Sequence, residues 1–257
     1  MFPGVAVAEE MDRRGHKVLL LISEKKVDAQ GAEKYGRLAF HKVPAVAKPA
    51  TFSPRIIPFL FRLWRTVRQC RQILVQSQCD AVLGMGGFTS LPPILAGKKL
   101  GLVTYVHDSN ALPGKANRLT ARWCRKILLG LEAATPYFAG ADVVVTGTPV
   151  RQELRAMPER KDARNAFGMD SHGPAVLVMG GSQGAQSLNT LVVDAAKAMP
   201  GLQFIHITGA HDFERVKNLV GSREGYRVIE FCDDMATAYA ACDMAVCRSG
   251  ASSMTEL

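Results

Sequence analysis

Two glycine-rich turns in the second half of the chain are the segments best suited to bind a phosphate. Residues 180–185 read Gly-Gly-Ser-Gln-Gly-Ala after the apolar run 175–179, and residues 248–256 read Arg-Ser-Gly-Ala-Ser-Ser-Met-Thr-Glu after the apolar run 244–247. Each pattern predicts a buried strand, a tight turn and the start of a helix. A helix start presents unpaired backbone N–H groups and the positive end of the helix dipole. The pair therefore predicts a nucleotide diphosphate held between the two turns.

Two side chains in these turns can also contact a nucleotide. The hydroxyl of Ser182 can reach a phosphate oxygen alongside the backbone N–H groups. Glu256 lies one turn into a helix that we expect to begin near Ser252, and there its carboxylate can accept hydrogen bonds from both hydroxyls of a ribose. An ordinary acidic residue at a helix start is the alternative, and position alone favours it. The sequence ends at Leu257, which we expect to precede formation of this helix.

Two segments in the first half of the chain are further candidates for a binding site. Residues 84–87 read Gly-Met-Gly-Gly, which fits either a ligand-binding turn or a turn that permits close backbone packing. They do not match G-x-G-x-x-G, so a dinucleotide fingerprint is weakly supported. His107, Asp108 and Asn110 follow a predicted strand, at the carboxyl edge where α/β proteins bind ligands. They can bind a sugar or move a proton, or they can form an ordinary polar loop.

Short apolar runs, separated by segments with helical periodicity, must position these residues. The runs are nearly all apolar, as expected of parallel strands covered on both faces, and their alternation with helices indicates βαβ units. Gly15 fits the end of the first helix, Pro92 fits a first helical turn, and Asp234 places negative charge at a helix start. The candidate strands are residues 17–22, 81–84, 103–106, 126–129, 143–146, 175–179, 203–207, 227–231 and 244–247.

The loop at residues 147–150 separates these runs into two groups. We therefore predict an α/β fold with two successive Rossmann-like parallel-sheet domains, residues 1–147 and 148–257. The two domains are expected to face a cleft, which is the default ligand site of such a fold.

Composition places the chain among globular proteins. Of its 257 residues 47% are hydrophobic and 21% are charged, and no apolar run approaches the roughly 20 residues that span a bilayer. The six cysteines form no C-x-x-C pair and have no companion histidine spacing, which argues against a zinc site or a disulfide framework. Reduced thiols in a cytosolic protein are the better interpretation.

The net charge of +9 is unevenly distributed. Residues 55–74 contain five arginines and no acidic residue, with Phe and Trp between the arginines. Interleaved aromatic residues favour a membrane-facing helix over a nucleic-acid face, since no nucleic-acid module accompanies them. A helix packed on the core with a solvated arginine-rich side is the equally weighted alternative. The arginines are Arg55, Arg62, Arg65, Arg68 and Arg71.

Five segments together closely resemble one family, the MurG enzymes of glycosyltransferase family 28. They are residues 84–87, Gly-Thr-Pro-Val-Arg at 147–151, residues 180–185, Glu-Phe-Cys-Asp-Asp-Met at 230–235 and Cys-Arg-Ser-Gly-Ala at 247–251. The resemblance runs from Phe2 to Glu256, and the combination is specific although each glycine cluster alone is not. It implies a GT-B fold, with an acceptor and membrane-associating first domain and a UDP-sugar-binding second domain.

The family transfers N-acetylglucosamine from UDP-N-acetylglucosamine (UDP-GlcNAc) to the C4 hydroxyl of the muramyl group of lipid I, giving lipid II for peptidoglycan. The resemblance implies an inverting glycosyltransferase without a cofactor or a metal, bound peripherally at the cytoplasmic face of the bacterial inner membrane. The implied partners are UDP-GlcNAc, undecaprenyl-linked lipid I, an anionic membrane surface and other cell-wall synthesis proteins, and not nucleic acid.

The resemblance also assigns roles to individual residues. Arg151 and Ser182 match donor-binding residues, and Cys232 lies where the family reads uracil through backbone atoms. Glu256 matches the ribose-binding residue, and Asn110 matches the Asn of the family's His-Glu-Gln-Asn, which faces the sugar. The donor-binding set is Asn110, Arg151, Ser182, Cys232, Ala251, Ser252, Ser253, Met254, Thr255 and Glu256; the acceptor-side candidates are Gly86, Gly87, His107 and Asp108; the membrane-contact candidates are Arg62, Trp64, Arg65 and Arg68.

Three departures from the family pattern bear on activity. The family opens with Gly-Gly-Thr-Gly-Gly-His, whose histidine is the candidate catalytic residue, and Met1 stands just beyond where that motif would end, so the catalytic residue is unknown. Asp108-Ser109 replaces Glu-Gln, which shortens the carboxylate by one methylene. The family's segment after Glu256, with a Gln that binds the donor sugar, is missing. We therefore expect a chain truncated at both ends, with both domains incomplete and weak or no activity.

Two other functions stay open. One is a related GT-B glycosyltransferase with another lipid-linked acceptor, and the other is a non-catalytic protein that binds UDP-sugars. A Rossmann-type NAD binder is disfavoured by the missing G-x-G-x-x-G.

Overall fold

The computed structural model describes residues 2–23, 35–44, 56–181 and 184–257. The chain divides into two compact units, Met1–Val150 and Arg151–Leu257. All the strand pairs within each unit are parallel. The α/β class with two sheet-containing domains, predicted from the apolar runs, is therefore confirmed. The division after Val150 falls at the end of the loop that the sequence pattern indicates.

The first unit begins with a helix and a two-stranded sheet. Helix α1 (Phe2–Arg13) ends just before Gly15, whose φ of +84° is a conformation that favours glycine. This confirms the predicted helix end. Strands β1 (Leu19–Ser23) and β2 (Ala39–Val43) pair in parallel. The sequence pattern does not predict β2, which has His and Lys within Ala-Phe-His-Lys-Val and buries only Val43.

A four-stranded parallel sheet forms the main body of the first unit. Its strand order is β3-β4-β5-β6, so each strand pairs with the next one in the chain. Its elements are α2 (Ile56–Gln76), β3 (Ala81–Gly84), α3 (Leu91–Lys99), β4 (Val103–Asp108), α4 (Lys115–Thr120), β5 (Lys126–Leu129) and β6 (Val143–Val145), with 3₁₀ helices at Phe88–Ser90, Ala121–Trp123 and Glu132–Phe138.

Helices α2 and α3 cover this sheet. Cys70 and Leu74 of α2 and Ile94 of α3 pack in one cluster with Val106 and Leu129 of the central strands. Pro occupies the first turn of α3, where a missing backbone N–H costs nothing, and this confirms the boundary that Pro92 predicts. The carboxyl ends of β3 and β4 therefore open at one edge of the sheet, next to the glycine cluster and the polar loop.

The second unit has a four-stranded parallel sheet of order β10-β7-β8-β9. The last strand of the chain thus lies beside the first strand of the unit, so the connection from β9 to β10 crosses past β8 and β7. The elements are α5 (Arg160–Ala166), β7 (Ala175–Met179), α6 (Gln186–Lys197), β8 (Gln203–Ile207), α7 (Phe213–Val220), β9 (Tyr226–Ile229), α8 (Met235–Ala241), β10 (Met244–Cys247) and α9 (Ala251–Glu256), with a 3₁₀ helix at Gln152–Arg155.

Both faces of the second sheet are covered, which accounts for its uninterrupted apolar strands. Leu177 and Ile205 pack on one face with α5 and α8, whereas Val178 and Phe204 pack on the other with Val192 of α6. Every residue of β7 and β8 is buried. Continuous apolar runs are expected where a parallel strand is enclosed on both sides.

An ion pair fixes α5 to this sheet. Arg164 is 2% exposed and donates to Asp243 Oδ2 at 2.8 Å and to the Ala241 carbonyl at 3.0 Å. The same carboxylate accepts the backbone N–H of Ala175 at 2.9 Å and also pairs with Arg160. The Ala175 N–H, with Arg160 and Arg164, holds the pKa of Asp243 below its ordinary value. The segment before β7 is therefore tied to β10.

One expectation about the end of the chain is wrong. Residues Ala251–Glu256 are helical, so α9 does form before Leu257. Backbone bonds close the turn, with Met254 N–H donating to Gly250 O at 3.0 Å. Within the described residues, no helix is both long and apolar enough to cross a membrane.

Candidate functional site

The two glycine-rich turns of the second unit leave the sheet side by side. Strands β7 and β10 pair in parallel, with Cys247 directly opposite Met179. Gly180 and Arg248, the first residues of the two turns, therefore follow neighbouring positions at the carboxyl edge. The predicted juxtaposition of the two turns is confirmed, and it follows from the strand order.

The geometry of the first turn requires glycine. Gly181 and Gly184 have φ values of +87° and +73°, and Gly184 N–H donates to Gly181 O at 2.9 Å. A Cβ on Gly184 would overlap the carbonyl oxygen of Thr208 at the end of β8. The turn is thus packed directly on the neighbouring strand, and α6 begins immediately after it. Ser182, predicted to contact phosphate, lies outside the described residues, as does Gln183.

Arg248 joins the two turns. A Cβ added to Gly181 would lie 3.0 Å from Nη2 of Arg248, so the guanidinium reaches the first turn from the second. Arg248 is exposed. An exposed guanidinium at this edge is suited to bind a phosphate oxygen. Arg248 belongs to two of the segments described from the sequence, but it is not among the predicted site residues. A basic residue at the start of a glycine turn is a signal that could have identified it.

Glu256 lies in a group of three side chains. Its Oε1 accepts from Arg151 Nε at 3.3 Å, and its Oε2 accepts from Arg151 Nη2 and from the Tyr239 hydroxyl, both at 3.2 Å. The side chains of Arg151 and Glu256 are only 4% and 11% exposed. Arg151 also donates to Glu153 Oε1 at 2.7 Å. The structure thus joins two residues assigned separately to donor binding.

The other assigned residues of α9 lie around this carboxylate. Ala251, Ser252 and Ser253 are half-buried, whereas Met254 and Thr255 are exposed. Thr255 Oγ1 donates to the Ala251 carbonyl at 2.8 Å, an ordinary contact within the helix.

Cys232 lies in the loop between β9 and α8. It is half-buried, and its Sγ donates to the carbonyl of Asp234 at 3.2 Å. Asp234 caps α8, because its carboxylate accepts the backbone N–H of Thr237 at 3.0 Å. This confirms the helix start that Asp234 predicts.

A buried polar network binds the Thr208 carbonyl, against which the first glycine turn packs. His206 is fully buried, with Nδ1 2.8 Å from the Tyr226 hydroxyl and Nε2 3.0 Å from Asn189 Oδ1. Asn189 Nδ2 donates to Thr208 O at 3.1 Å and to Asp212 Oδ2 at 2.7 Å. Burial lowers the pKa of His206 to about 4, against an opposing effect of Asp212. The network fixes the carbonyl on which Gly184 packs.

In the first unit, residues 84–87 form a closely packed turn. Gly86 and Gly87 have φ values of +96° and +74°, and Ser90 Oγ donates to Gly86 O at 2.8 Å. A Cβ on Gly84 would lie 2.6 Å from Ile94 Cδ1. These contacts agree with the packing interpretation of the glycines, and the proposed acceptor-side role of Gly86 and Gly87 stays a prediction.

Asp108 is the centre of the polar loop after β4. It is 2% exposed, and its carboxylate accepts from Asn110 N at 2.9 Å, Asn110 Nδ2 at 3.0 Å, Gly114 N at 2.9 Å and Asn117 Nδ2 at 2.8 Å. Asn110 itself is exposed. The Asp108 carboxylate therefore holds the loop by hydrogen bonds and orients the Asn110 side chain. Its side chain, one methylene shorter than Glu, fits these contacts within the loop.

His107 is equally enclosed. It is buried, and its Nε2 lies 3.0 Å from the carbonyl oxygen of Gly147. Burial lowers the pKa of His107, although the Gly147 carbonyl and Asp108 oppose the effect. The imidazole links the ends of β4 and β6 within the unit.

Helix α2 has two different faces. Thr66, Val67 and Cys70 are buried, whereas Phe61 and Trp64 are 63% and 55% exposed. The two rings lie 6.2 Å apart between centroids, and the guanidinium of Arg68 lies 5.9 Å from the Trp64 ring. The exposed set, defined here as the α2 patch, consists of Ile57, Leu60, Phe61, Arg62, Trp64, Arg65 and Arg68. Arg55 lies outside the described residues.

Metal-ligand geometry is absent from the part of the chain that the structure describes. No group of three His, Cys, Asp or Glu side chains there could hold a metal ion. The six cysteines are free thiols. The residues gathered at the carboxyl edge of the second sheet are instead cationic, anionic and aromatic: Arg151, Tyr239, Arg248 and Glu256.

Family models match most of the chain. Residues 1–129 match the N-terminal domain of glycosyltransferase family 28, and residues 175–257 match the C-terminal domain of the same family. The second match begins at β7 and contains both glycine turns.

Two curated relatives carry the name UDP-N-acetylglucosamine--N-acetylmuramyl-(pentapeptide) pyrophosphoryl-undecaprenol N-acetylglucosamine transferase. The protein from Streptomyces avermitilis is 36% identical over 84% of this chain and 60% of its own length. The protein from Acidothermus cellulolyticus is 34% identical over 99% of this chain and 71% of its own length. The chain thus spans about two thirds of the length of these relatives.

A solved structure agrees with these relatives. The crystal structure of Acinetobacter baumannii MurG superimposes with a TM-score of 0.68 and 25% identity, covering 99% of this chain and 71% of that protein.

Proposed function

Because the chain belongs to glycosyltransferase family 28, among relatives named for N-acetylglucosamine transfer, we propose that it serves the transfer of N-acetylglucosamine from UDP-GlcNAc to lipid I. The product is lipid II, the precursor of peptidoglycan. The chain covers about two thirds of the relatives' length. The activity for which the full-length relatives are named is therefore proposed for this chain.

The observation that carries the proposal is the pair of glycine turns at one edge of the second sheet. The guanidinium of Arg248 supplies hydrogen-bond donors and positive charge for a diphosphate beside the first turn. Backbone N–H groups of the glycine turns, which the sequence pattern predicts, would add further donors. Glu256 supplies acceptor oxygens for a ribose on the same side. These are the groups that a UDP-sugar requires from its site.

The proposed reaction is a direct displacement at the anomeric carbon. The C4 hydroxyl oxygen of the muramyl group forms the new bond as the bond to the UDP oxygen breaks, and the hydroxyl proton passes to a general base. The departing diphosphate gains negative charge, which Arg248 and the turn N–H groups would stabilise. The base itself has no assigned residue here.

A transfer assay tests the proposal. Radiolabelled UDP-GlcNAc and a lipid I analogue should give a labelled lipid product, at a rate that falls when Arg248 is replaced by Ala. The low activity predicted from the family's missing motifs is measured in the same assay against a full-length relative. Transfer to neither lipid I nor a diacylglycerol, together with no binding of UDP, would contradict the proposal. Adding EDTA tests the predicted independence of metal.

The same assay separates the alternatives. Transfer to a diacylglycerol but not to lipid I would indicate a related glycosyltransferase with another lipid acceptor. Calorimetric binding of UDP without transfer to either acceptor would indicate a UDP-sugar-binding protein.

We further propose that the α2 patch docks on an anionic membrane surface, which would place the protein peripherally at the cytoplasmic face. Exposed Phe61 and Trp64 would enter the interface while the neighbouring arginines attract anionic headgroups. Other cell-wall synthesis proteins stay predicted partners.

Vesicle co-sedimentation tests this docking. The chain should sediment with vesicles containing phosphatidylglycerol more than with phosphatidylcholine alone. Replacing Phe61 and Trp64 by Ser should abolish the binding. The matched control is Leu191→Ser, which removes a side chain of α6 that is 66% exposed in the second unit. Equal loss in the control would contradict a specific role of α2.

A further inference from the structure

Three buried side chains form a chain of hydrogen bonds that ends at the Thr208 carbonyl. They are Tyr226 of β9, His206 of β8 and Asn189 of α6. His206 and Asn189 are fully buried, and Tyr226 is 6% exposed. Thr208 O is the atom that a Cβ on Gly184 would overlap, so the chain of hydrogen bonds reaches the first glycine turn.

Two acceptors fix the orientation of the Asn189 amide. Its Nδ2 lies 3.1 Å from Thr208 O and 2.7 Å from Asp212 Oδ2. Arg215 contacts both oxygens of the Asp212 carboxylate and is the main cause of its lowered pKa, so this group is ionised and can only accept. A flipped amide would place its oxygen against these two oxygens, so the nitrogen must face them.

The amide orientation in turn fixes the tautomer of His206. Asn189 Oδ1 lies 3.0 Å from His206 Nε2 and can only accept, so Nε2 carries the hydrogen. Burial lowers the pKa of His206 to about 4, so the imidazole is neutral at neutral pH and its Nδ1 is unprotonated. The Tyr226 hydroxyl, 2.8 Å from Nδ1, is therefore the donor on that side. The hydrogen bonds thus run in one direction, from Tyr226 to the Thr208 carbonyl.

The position of this carbonyl matters because the first glycine turn packs directly on it. If Nε2 did not donate, the Asn189 amide could turn, and its Nδ2 would no longer hold Thr208 O. A Cβ on Gly184 would overlap that oxygen, so no free space separates the turn from the carbonyl. In such close packing a shift of Thr208 O would move the turn as well.

We propose that His206 is a positioning residue for the diphosphate of a bound nucleotide: its Nε2–H holds the Asn189 amide, the amide holds the Thr208 carbonyl, and the carbonyl sets the position of the first glycine turn. The inference rests on the proposed binding of UDP in the second unit. It assigns a role in ligand binding to a side chain with no exposed surface, and it makes Tyr226 the residue that selects the tautomer of His206.

Two nucleotides that differ by one phosphate test the inference. Calorimetry on the whole chain at neutral pH would measure the Kd of UDP and of UMP, and the ratio of the two reports the contribution of the second phosphate. A hydrogen bond to a charged group corresponds to roughly ten- to a hundredfold in affinity. We therefore expect wild type to bind UMP at least roughly tenfold more weakly than UDP.

His206→Asn and His206→Gln differ by one methylene but should behave differently. The amide of Gln can place an N–H where Nε2 lies, whereas that of Asn reaches only the position of Nδ1 and leaves Asn189 Oδ1 without its donor. We expect the ratio of Kd values to fall to about threefold or less in His206→Asn, and to stay within about twofold of wild type in His206→Gln. Equal ratios in the two variants would overturn the proposal, because only one of them removes the donor to Asn189.

Ile205→Val is the control for a general loss of stability. Ile205 is the neighbouring residue of β8 and is fully buried on the opposite face of the sheet, so the variant loses packing but keeps the chain of hydrogen bonds. It should keep the wild-type ratio even where its melting temperature falls. A ratio that falls as far as in His206→Asn would overturn the positioning role, since any loss of packing would then have the same effect.

The outcomes separate this inference from the proposed function. If wild type binds UDP more tightly than UMP and His206→Asn keeps that ratio, the positioning role is wrong while the diphosphate site stands. If wild type binds no UDP, or binds UMP equally well, both fail. Should His206→Asn not fold by circular dichroism, Tyr226→Phe gives the test, because it keeps the ring stacked on Phe204 but removes the donor to Nδ1. A wild-type ratio in that variant would overturn the inference.

Discussion

Arg248 of the second glycine turn lies against Gly181 of the first, with its Nη2 only 3.0 Å from the position that a Cβ of Gly181 would take. The contact crosses from one turn to the other and places a positive charge beside the first turn. A diphosphate bound between the turns would meet this guanidinium.

Arg248→Ala should therefore weaken UDP binding. A charge-assisted hydrogen bond contributes about 1.5–3 kcal/mol, so we expect a rise in Kd of roughly ten- to a hundredfold at low salt. Calorimetry at two salt concentrations measures the effect, which should shrink as salt screens the charge. Arg155→Ala removes another exposed arginine of the same unit and should leave Kd within about twofold. Equal Kd values for wild type and Arg248→Ala would contradict the proposed phosphate site.

Gly184→Ala should strongly destabilise the second unit. The new methyl group would overlap the Thr208 carbonyl, and φ is +73° at this position. We expect a loss of at least about 2 kcal/mol in the free energy of unfolding, measured by urea denaturation. Gly201→Ala is the control, because nothing lies within 4 Å of its added Cβ, and it should change stability by less than about 0.5 kcal/mol. A neutral Gly184→Ala would show that the turn does not pack on β8 as described.

The buried imidazole of His206 predicts a loss of stability in mild acid. Its pKa is about 4 in the folded state, below the ordinary value of 6.5. Below pH 6.5 the unfolded chain takes up a proton that the folded chain does not, so stability is complete above pH 6.5 and falls between pH 6.5 and 4. The contribution is on the order of 3 kcal/mol.

Unfolding of His206→Gln across this pH range measures that contribution. The variant should be less stable at pH 8, because its contacts with Tyr226 and Asn189 change, but its stability should fall less steeply below pH 6.5 than that of wild type. His172→Gln alters an exposed histidine of the same unit and should keep the wild-type slope. Parallel curves for wild type and His206→Gln would rule out the proposed titration.

Asp108→Asn should disrupt the loop after β4. The carboxylate accepts four hydrogen bonds from Asn110, Gly114 and Asn117, and an amide would direct N–H groups at some of those donors. We expect a loss of about 2–4 kcal/mol in the stability of the first unit. Asp80→Asn, at an exposed site, should have little effect in the same melting experiment. A wild-type melting temperature for Asp108→Asn would leave Asp108 available for an external role.

Most strands were predictable because each is a short apolar run, and β7 and β8 are buried along their whole length. The bounds of β3, β5, β7, β8 and β10 agree with the apolar runs. By contrast, β2 contains His41 and Lys42 and has a single buried residue, Val43, so it is not a continuous apolar run.

The candidate site was predictable only in part. A glycine-rich segment directly after an apolar run predicts a turn at that position. The pairing of β10 with β7, however, depends on the order of strands in the sheet, which no local sequence pattern contains. The contact between Tyr239 and Glu256 requires α8 and α9 to be placed over β7 first. Arg151 is 105 residues from Glu256, so their ion pair could not be read from spacing.

That separation also has a consequence for folding during synthesis. Ribosomes add roughly 5–20 residues per second, so Glu256 follows Arg151 by an interval on the order of 5–20 s. During this time the guanidinium has no contact with Glu256, its partner in the finished unit. Glu153, only two residues away and 2.7 Å from Nη1, can neutralise it from the start. Arg151 therefore has one partner in its own segment and a second at the far end of the unit, and Glu256 is added only after strands β7 to β10 have been made.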